Sequence, residues 1–129
     1  VIVDSSALMA VLNGEPESDR LIAAMARVQC RISAATMVEI GIVADARSAR
    51  HGERLDELIR ALEIQVEPVT GRQAEVARLA YRRFGRGSGS RAALNFGDCF
   101  AYALSVTAGE PLLFVGEDFA HTDVAAQSS

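Results

Sequence analysis

Four carboxylates stand where apolar sequence gives out. Asp4 closes the run VIV, Glu39 interrupts TMVEIGIV, Asp98 follows a glycine at the head of GDCFAYALSVTAG, and Asp118 follows Glu117 after PLLFVG. Glu39 is the most telling, because a carboxylate flanked by Met37, Val38, Ile40 and Ile42 is costly to bury unless something neutralises it. A divalent cation would do so. Several acids without basic partners make the composition of a hard-cation site, since Mg²⁺ prefers oxygen donors and keeps several of its waters. Taken singly, each acid also has a plain structural role open to it. Asp4 can cap a helix beginning at Ser5, and Glu39 can face outward at the rim of its helix. Asp98 suits the positive end of a helix dipole, and Asp118 and Asp123 can be turn residues. The metal reading rests on their conjunction.

These acids need a frame, and the patterning of the chain predicts one. VIVD reads as a short buried strand, followed by a helix over SALMAVLNG that Ser5 or Ser6 caps and Asn13–Gly14 closes. Leu21, Ile22, Met25 and Val28 fall at helical spacing, so a second helix is expected between Glu15 and Val28, with CRIS as a second strand. AATMVEIGIVADARSA follows as an apolar helix. After a loop around Arg50–Gly52, Leu55, Leu58, Ile59 and Leu62 form one helical stripe. QVEPV is a third strand ended by Pro68, and GRQAEVARLAYRRFG is another amphipathic helix. GRGSGSRAALN is a glycine- and serine-rich loop, and GDCFAYALSVTAG is a helix with Asp98 in its first turn. PLLFVG closes the pattern as a strand of nearly unbroken apolar character, as parallel sheets require.

Strands thus alternate with helices from end to end, which predicts a three-layer α/β/α fold around a mainly parallel sheet. In such open sheets, ligand sites gather at the carboxyl ends of the strands. Asp4 and the Glu117–Asp118 pair stand at such ends.

Composition narrows the classes further. The chain has 129 residues, half of them hydrophobic and 23% charged, so one globular domain spanning residues 1–129 is expected. No apolar run approaches the roughly 20 residues that cross a bilayer. The opening segment lacks the basic start of a secretory signal, which predicts a cytoplasmic protein. The net charge of −4 argues against broad electrostatic binding to nucleic acid. All 13 basic residues are arginine. The absence of lysine disfavours phosphoacceptor receivers and haloacid-dehalogenase-type phosphatases, which also carry an aspartate after the first strand but ordinarily use a lysine. No P-loop sequence is present, and D-S-S-A stands where a Rossmann glycine fingerprint would be. Cys30 and Cys99 lack metal-binding spacing and read as small buried hydrophobes, and His51 and His121 read as surface residues.

The combination of VIVDSSALMAVLNGEPE, the helical glutamate of TMVEIGIV, NFGDCFAYALS and PLLFVGEDFAHTDV resembles the PIN-domain family, and more narrowly its VapC-type bacterial toxins. The resemblance covers essentially the whole chain. It implies that Asp4, Glu39, Asp98 and Asp118 hold Mg²⁺ or Mn²⁺ and support cleavage of RNA. It also implies a homodimer silenced by a cognate antitoxin protein. Glu117 occupies a position where the family often has Asp or Asn, so Glu117, Asp118 and Asp123 all stay open as the fourth acid. Ser6 matches a small hydroxyl position near the metal.

An acidic pocket must hold a polyanion from elsewhere. Arg82, Arg83 and Arg86 near one helix end, with Arg91 in the loop beyond, are candidates for phosphate contacts, since guanidinium forks pair well with phosphate oxygens. They can equally complement the helix dipole. Leu8, Leu12 and Leu21 are either core or part of a partner surface, with core the simpler reading. The rival function is a PIN-like module that binds RNA or protein without cutting.

Overall fold

A computed structural model describes residues 1–128. Strands β1 (Ile2–Val3), β2 (Arg31–Ser33), β3 (Gln65–Glu67) and β4 (Leu112–Leu113) form one parallel sheet in the order β3-β2-β1-β4. The helices are α1 (Ser5–Leu12), α2 (Ser18–Ala26), α3 (Ala34–Arg47), α4 (Ala49–Ala61), α5 (Gly71–Phe84) and α6 (Asp98–Ala108).

The layering follows from the two-residue period of strands. Ile2 pairs with Leu112, and Val3 with Leu113. Ile2 and Leu112 enter one core with Ala80, Phe84, Ala101 and Leu104 of α5 and α6. Val3 and Leu113 enter the other with Leu8, Leu21, Ile40 and Leu55 of α1 to α4. The sheet is therefore sandwiched between helices, as its apolar strands require. Leu8, Leu12 and Leu21 are all buried, which settles them as core.

The chain lays β1, β2 and β3 side by side and then returns to set β4 against the other edge of β1. The direction of winding thus reverses at the crevice between β1 and β4, where α/β sheets place their sites.

Several local expectations are corrected. Asp4, not Ser5 or Ser6, caps α1. The second helix is shorter than Glu15–Val28, because the chain around Pro16 turns before α2 begins at Ser18. Arg50–Gly52 is helical rather than a loop. Ser48 alone separates α3 from α4, extended at φ −175° and ψ 159°, and its Oγ accepts from His51 N. Gly52 allows this tight junction, since a side chain there would collide with Asp45.

β4 is shorter than PLLFVG. Beyond it the chain leaves the sheet, and the Val115 N–H donates to Ser6 Oγ at 3.0 Å. Residues near the carboxyl end instead run beside β4. Leu112 N donates to Ala125 O at 2.8 Å and Gln127 N to Leu112 O at 2.9 Å. The apolar helix α3 is buried on one side only: Val38, Ile42 and Val43 are exposed.

Candidate active site

Asp4 reaches the β1/β4 crevice because β1 ends one residue before it. Its Oδ2 accepts from Ser6 N at 3.0 Å, satisfying one of the free amides at the start of α1. The residue is 2% exposed. Burial pushes its carboxyl up to about 6; hydrogen bonds from the Ser6 side chain and backbone pull it down, and the charges of Asp98 and Glu39 raise it further. Ser6 thus stands between Asp4 and the segment leaving β4.

Asp98 is fixed from the opposite layer. Its N–H donates to Asn95 Oδ1 at 2.8 Å, while Asn95 N donates to Asp98 Oδ2 at 3.0 Å. This reciprocal pair is a capping box for the head of α6. It commits Oδ2 to the backbone amide of Asn95. Burial raises the Asp98 pKa, the Asn95 amide lowers it, Asp118 raises it and Arg86 lowers it. Asn95 is a site-shaping residue that the sequence reading missed, although the N-x-x-D spacing before a helix was there to be read.

Glu39 comes from the second turn of α3. It is half-buried, with its carboxylate lying over Gly97, so it does not face outward. Burial raises its pKa, hydrogen bonding from Ser5 opposes this, and the Asp98 charge adds to the rise.

The three carboxylates that follow β4 separate clearly. Glu117 and Asp118 are exposed, and Asp118 is the one whose charge reaches Asp98. Asp123 is already occupied: Tyr102 donates its hydroxyl to Oδ1 at 2.5 Å and Arg83 Nη1 donates to Oδ2 at 3.2 Å. These partners hold its pKa below the usual range, Tyr102 contributing most. The same contact ties Arg83, which also stacks 4.6 Å from the Phe84 ring centre. Among the four arginines, Arg86 lies close enough to influence Asp98, and Arg82 and Arg91 are exposed.

Among the described residues, no three His, Cys, Asp or Glu side chains gather closely enough to form a ready-made metal site. The acids share an electric field, but Oδ2 of both Asp4 and Asp98 is committed to a helix start. A hard cation still fits this donor set, because Mg²⁺ is commonly bound through one or two carboxylates with several retained waters. Asp4 is a buried acid whose charged neighbours, Asp98 and Glu39, are also acids. Softer ligands are not on offer. The Cys99 thiol is pushed up to about 11 by burial and by Asp98, so it stays protonated. Cys30 is buried and free in the other core. His51 is half-buried at the α3–α4 junction, its Nδ1 2.8 Å from Ser48 Oγ, and His121 is half-buried in a short 3₁₀ turn; neither is a fully exposed surface residue.

Residues 1–125 match the PIN domain family. The chain is 51% identical over 126 residues to the ribonuclease VapC28 of Mycobacterium tuberculosis, covering 96% of this chain and 95% of that protein. Its fold is similar to that of the crystal structure of M. tuberculosis VapC20, a sarcin–ricin loop cleaving toxin, with a TM-score of 0.75 at 16% identity over 99% of this chain and 98% of that one. A toxin–antitoxin complex from Klebsiella pneumoniae is also similar, with a TM-score of 0.74 at 18% identity over 98% and 96% of the respective chains. With this site at the β1/β4 crevice, the chain belongs to the PIN-domain family, among its VapC-type toxin ribonucleases.

Proposed function

We propose that this protein is a metal-dependent endoribonuclease toxin that hydrolyses RNA phosphodiesters at the β1/β4 crevice. The observation that carries the reading is Asp4, a buried carboxylate with two further acids in its field. Asp4 and Asp98 would hold Mg²⁺ or Mn²⁺ directly, and Asp118 would complete the set. A cation held by these residues would supply a lowered pKa for a bound water and polarisation of a phosphoryl oxygen. Glu39, whose pKa burial raises, would hold a water of the bound cation, orient it for attack and take its proton. Attack by water rather than by the ribose 2′-hydroxyl leaves 5′-phosphate and 3′-hydroxyl ends.

Arg86 is the best placed of the arginines to meet a phosphate beside Asp98, with Arg82 and Arg91 flanking it in the sequence. Arg83 would have to leave Asp123 to contribute. Such contacts hold the backbone and do not select the sequence cut. The ribonuclease relatives support RNA as the substrate class, and the toxin–antitoxin complex supports a cognate antitoxin as partner. Among the described residues, no helix is long and apolar enough to cross a membrane. The exposed apolar residues of α3 and Phe96 supply a face for homodimerisation.

The test is cleavage of total bacterial RNA by antitoxin-free protein, with Mg²⁺ and with EDTA, beside Asp4→Asn and Asp98→Asn. Discrete cuts that need metal and disappear in both variants are expected. Cuts that persist in EDTA would overturn the mechanism, as would 2′,3′-cyclic phosphate ends. Metal binding without cleavage across a broad RNA set would favour the non-cleaving binding module.

A further inference from the structure

We propose that Gly97 is a positioning residue, whose missing side chain forms the slot that admits the Glu39 carboxylate to the acid site. Its functional meaning rests on the nuclease reading above; its geometry does not. Gly97 lies at φ −63° and ψ −39°, ordinary right-handed helical backbone that any L-residue adopts. Conformational freedom therefore does not account for glycine here. It does account for Gly14, Gly87, Gly89, Gly109 and Gly116, which have positive φ and open space where a side chain would be. The helical backbone of Gly97 is not the extended conformation of an N-cap, so a cap preference does not account for glycine either, and alanine in such a conformation lowers the entropy of the unfolded chain.

Space is what remains to explain it. A Cβ on residue 97 would stand 2.6 Å from Glu39 Cδ and 3.0 Å from Oε1, with Oε2 nearer still. The colliding group is the far end of a flexible side chain, not backbone. Alanine at 97 can therefore be accommodated by the fold, but only if Glu39 swings away. The neighbouring groove is lined by Val38, Ile42, Phe96 and Phe100 and offers the displaced carboxylate no cation or donor side chain. The slot thus holds the Glu39 carboxylate of α3 against the head of α6, within the field of Asp98.

The experiment is a double-mutant cycle over Gly97→Ala and Glu39→Ala, read by Mn²⁺ titration calorimetry and by thermal melting in EDTA. Gly97→Ala should weaken Mn²⁺ binding by roughly 10–100-fold, the usual range when a group in the shell around a metal's direct ligands is displaced. In the Glu39→Ala background it should cause no further loss, because no carboxylate is left to displace. Melting should show opposite signs, with Tm falling when Glu39 is present and rising when it is absent. Glu39→Asp, which shortens the acid, should restore part of the binding lost in Gly97→Ala. Equal effects of Gly97→Ala in both backgrounds would overturn the proposal, as would unchanged Mn²⁺ binding in the single variant. If the unaltered protein binds no Mn²⁺, the nuclease reading fails, and the melting cycle alone then decides the slot.

Discussion

Asp4 is ionised at neutral pH only at a cost to the fold. In an unfolded chain its carboxyl titrates near its ordinary 3.8, and in the folded protein near 6. Below the first value it is protonated in both states and carries no penalty. As pH rises through the second, the folded state bears the whole of it, about 3 kcal/mol for a rise of this size. Asn at this position keeps an oxygen to cap α1 and removes the charge. Asp4→Asn should therefore be more stable than the unaltered protein in EDTA at pH 7.5, by up to ~3 kcal/mol, with the difference gone by pH 4. Urea denaturation across that range would show it; equal stability at pH 7.5 would mean that the acid is not buried as described. The same ionisation makes Mg²⁺ affinity rise with pH through about 6, since a carboxylate must lose its proton to bind. The sequence set helix capping and a place among metal-binding acids against each other as readings of Asp4. They are not alternatives: one oxygen caps, and the buried charge remains.

At the scale of elements, the site depends on ties between segments that local patterning does not reveal. Helices and strands were largely legible, because their periods and caps are written into neighbouring residues: Thr70 before α5 and Gly109 after α6 mark their helices. The hydrogen bond from Val115 N to Ser6 Oγ joins residues 109 apart, and no local pattern encodes it. The run alongside β4 near the carboxyl end was missed for the same reason. Ser6→Ala removes the only side-chain acceptor given to the Val115 amide among the described residues. That amide should then exchange with solvent at least tenfold faster, and cleavage should fall as the segment carrying Asp118 loosens; unchanged exchange would show that Ser6 does not restrain it. Asn95→Ala tests the opposite layer. Losing the capping box should cost about 1 kcal/mol in stability, measured by denaturant titration. The backbone N–H of residue 95 that fixes Asp98 Oδ2 is kept in this variant, and only the acceptor of the Asp98 N–H is lost, so activity should fall in step with the loosening of the head of α6.

For the molecule as a whole, the unbalanced feature is an apolar face beside the acids. Phe96 is 77% exposed, Ile42 65% and Val38 61%. The sequence could not single this face out, because a helix apolar around most of its circumference reads as buried on every side. Here Ile40 and Ala44 face the core while Val38 and Ile42 face out. The face shares its groove with Glu39 and Gly97, so a second copy seated on it would lie against the candidate acid site of the first. Sealing one such side chain away from water is worth about 1.5–3 kcal/mol, and about 1.4 kcal/mol is a factor of ten in affinity. Ile42→Asp or Phe96→Asp should therefore weaken self-association more than tenfold, read as a shift from dimer to monomer by sedimentation equilibrium. Melting in EDTA, at dilutions where both proteins are monomeric, should change little, because neither side chain contributes to the two cores. A protein that stays monomeric at tens of micromolar before any substitution would rule out this dimer and leave the face to the antitoxin or to the RNA.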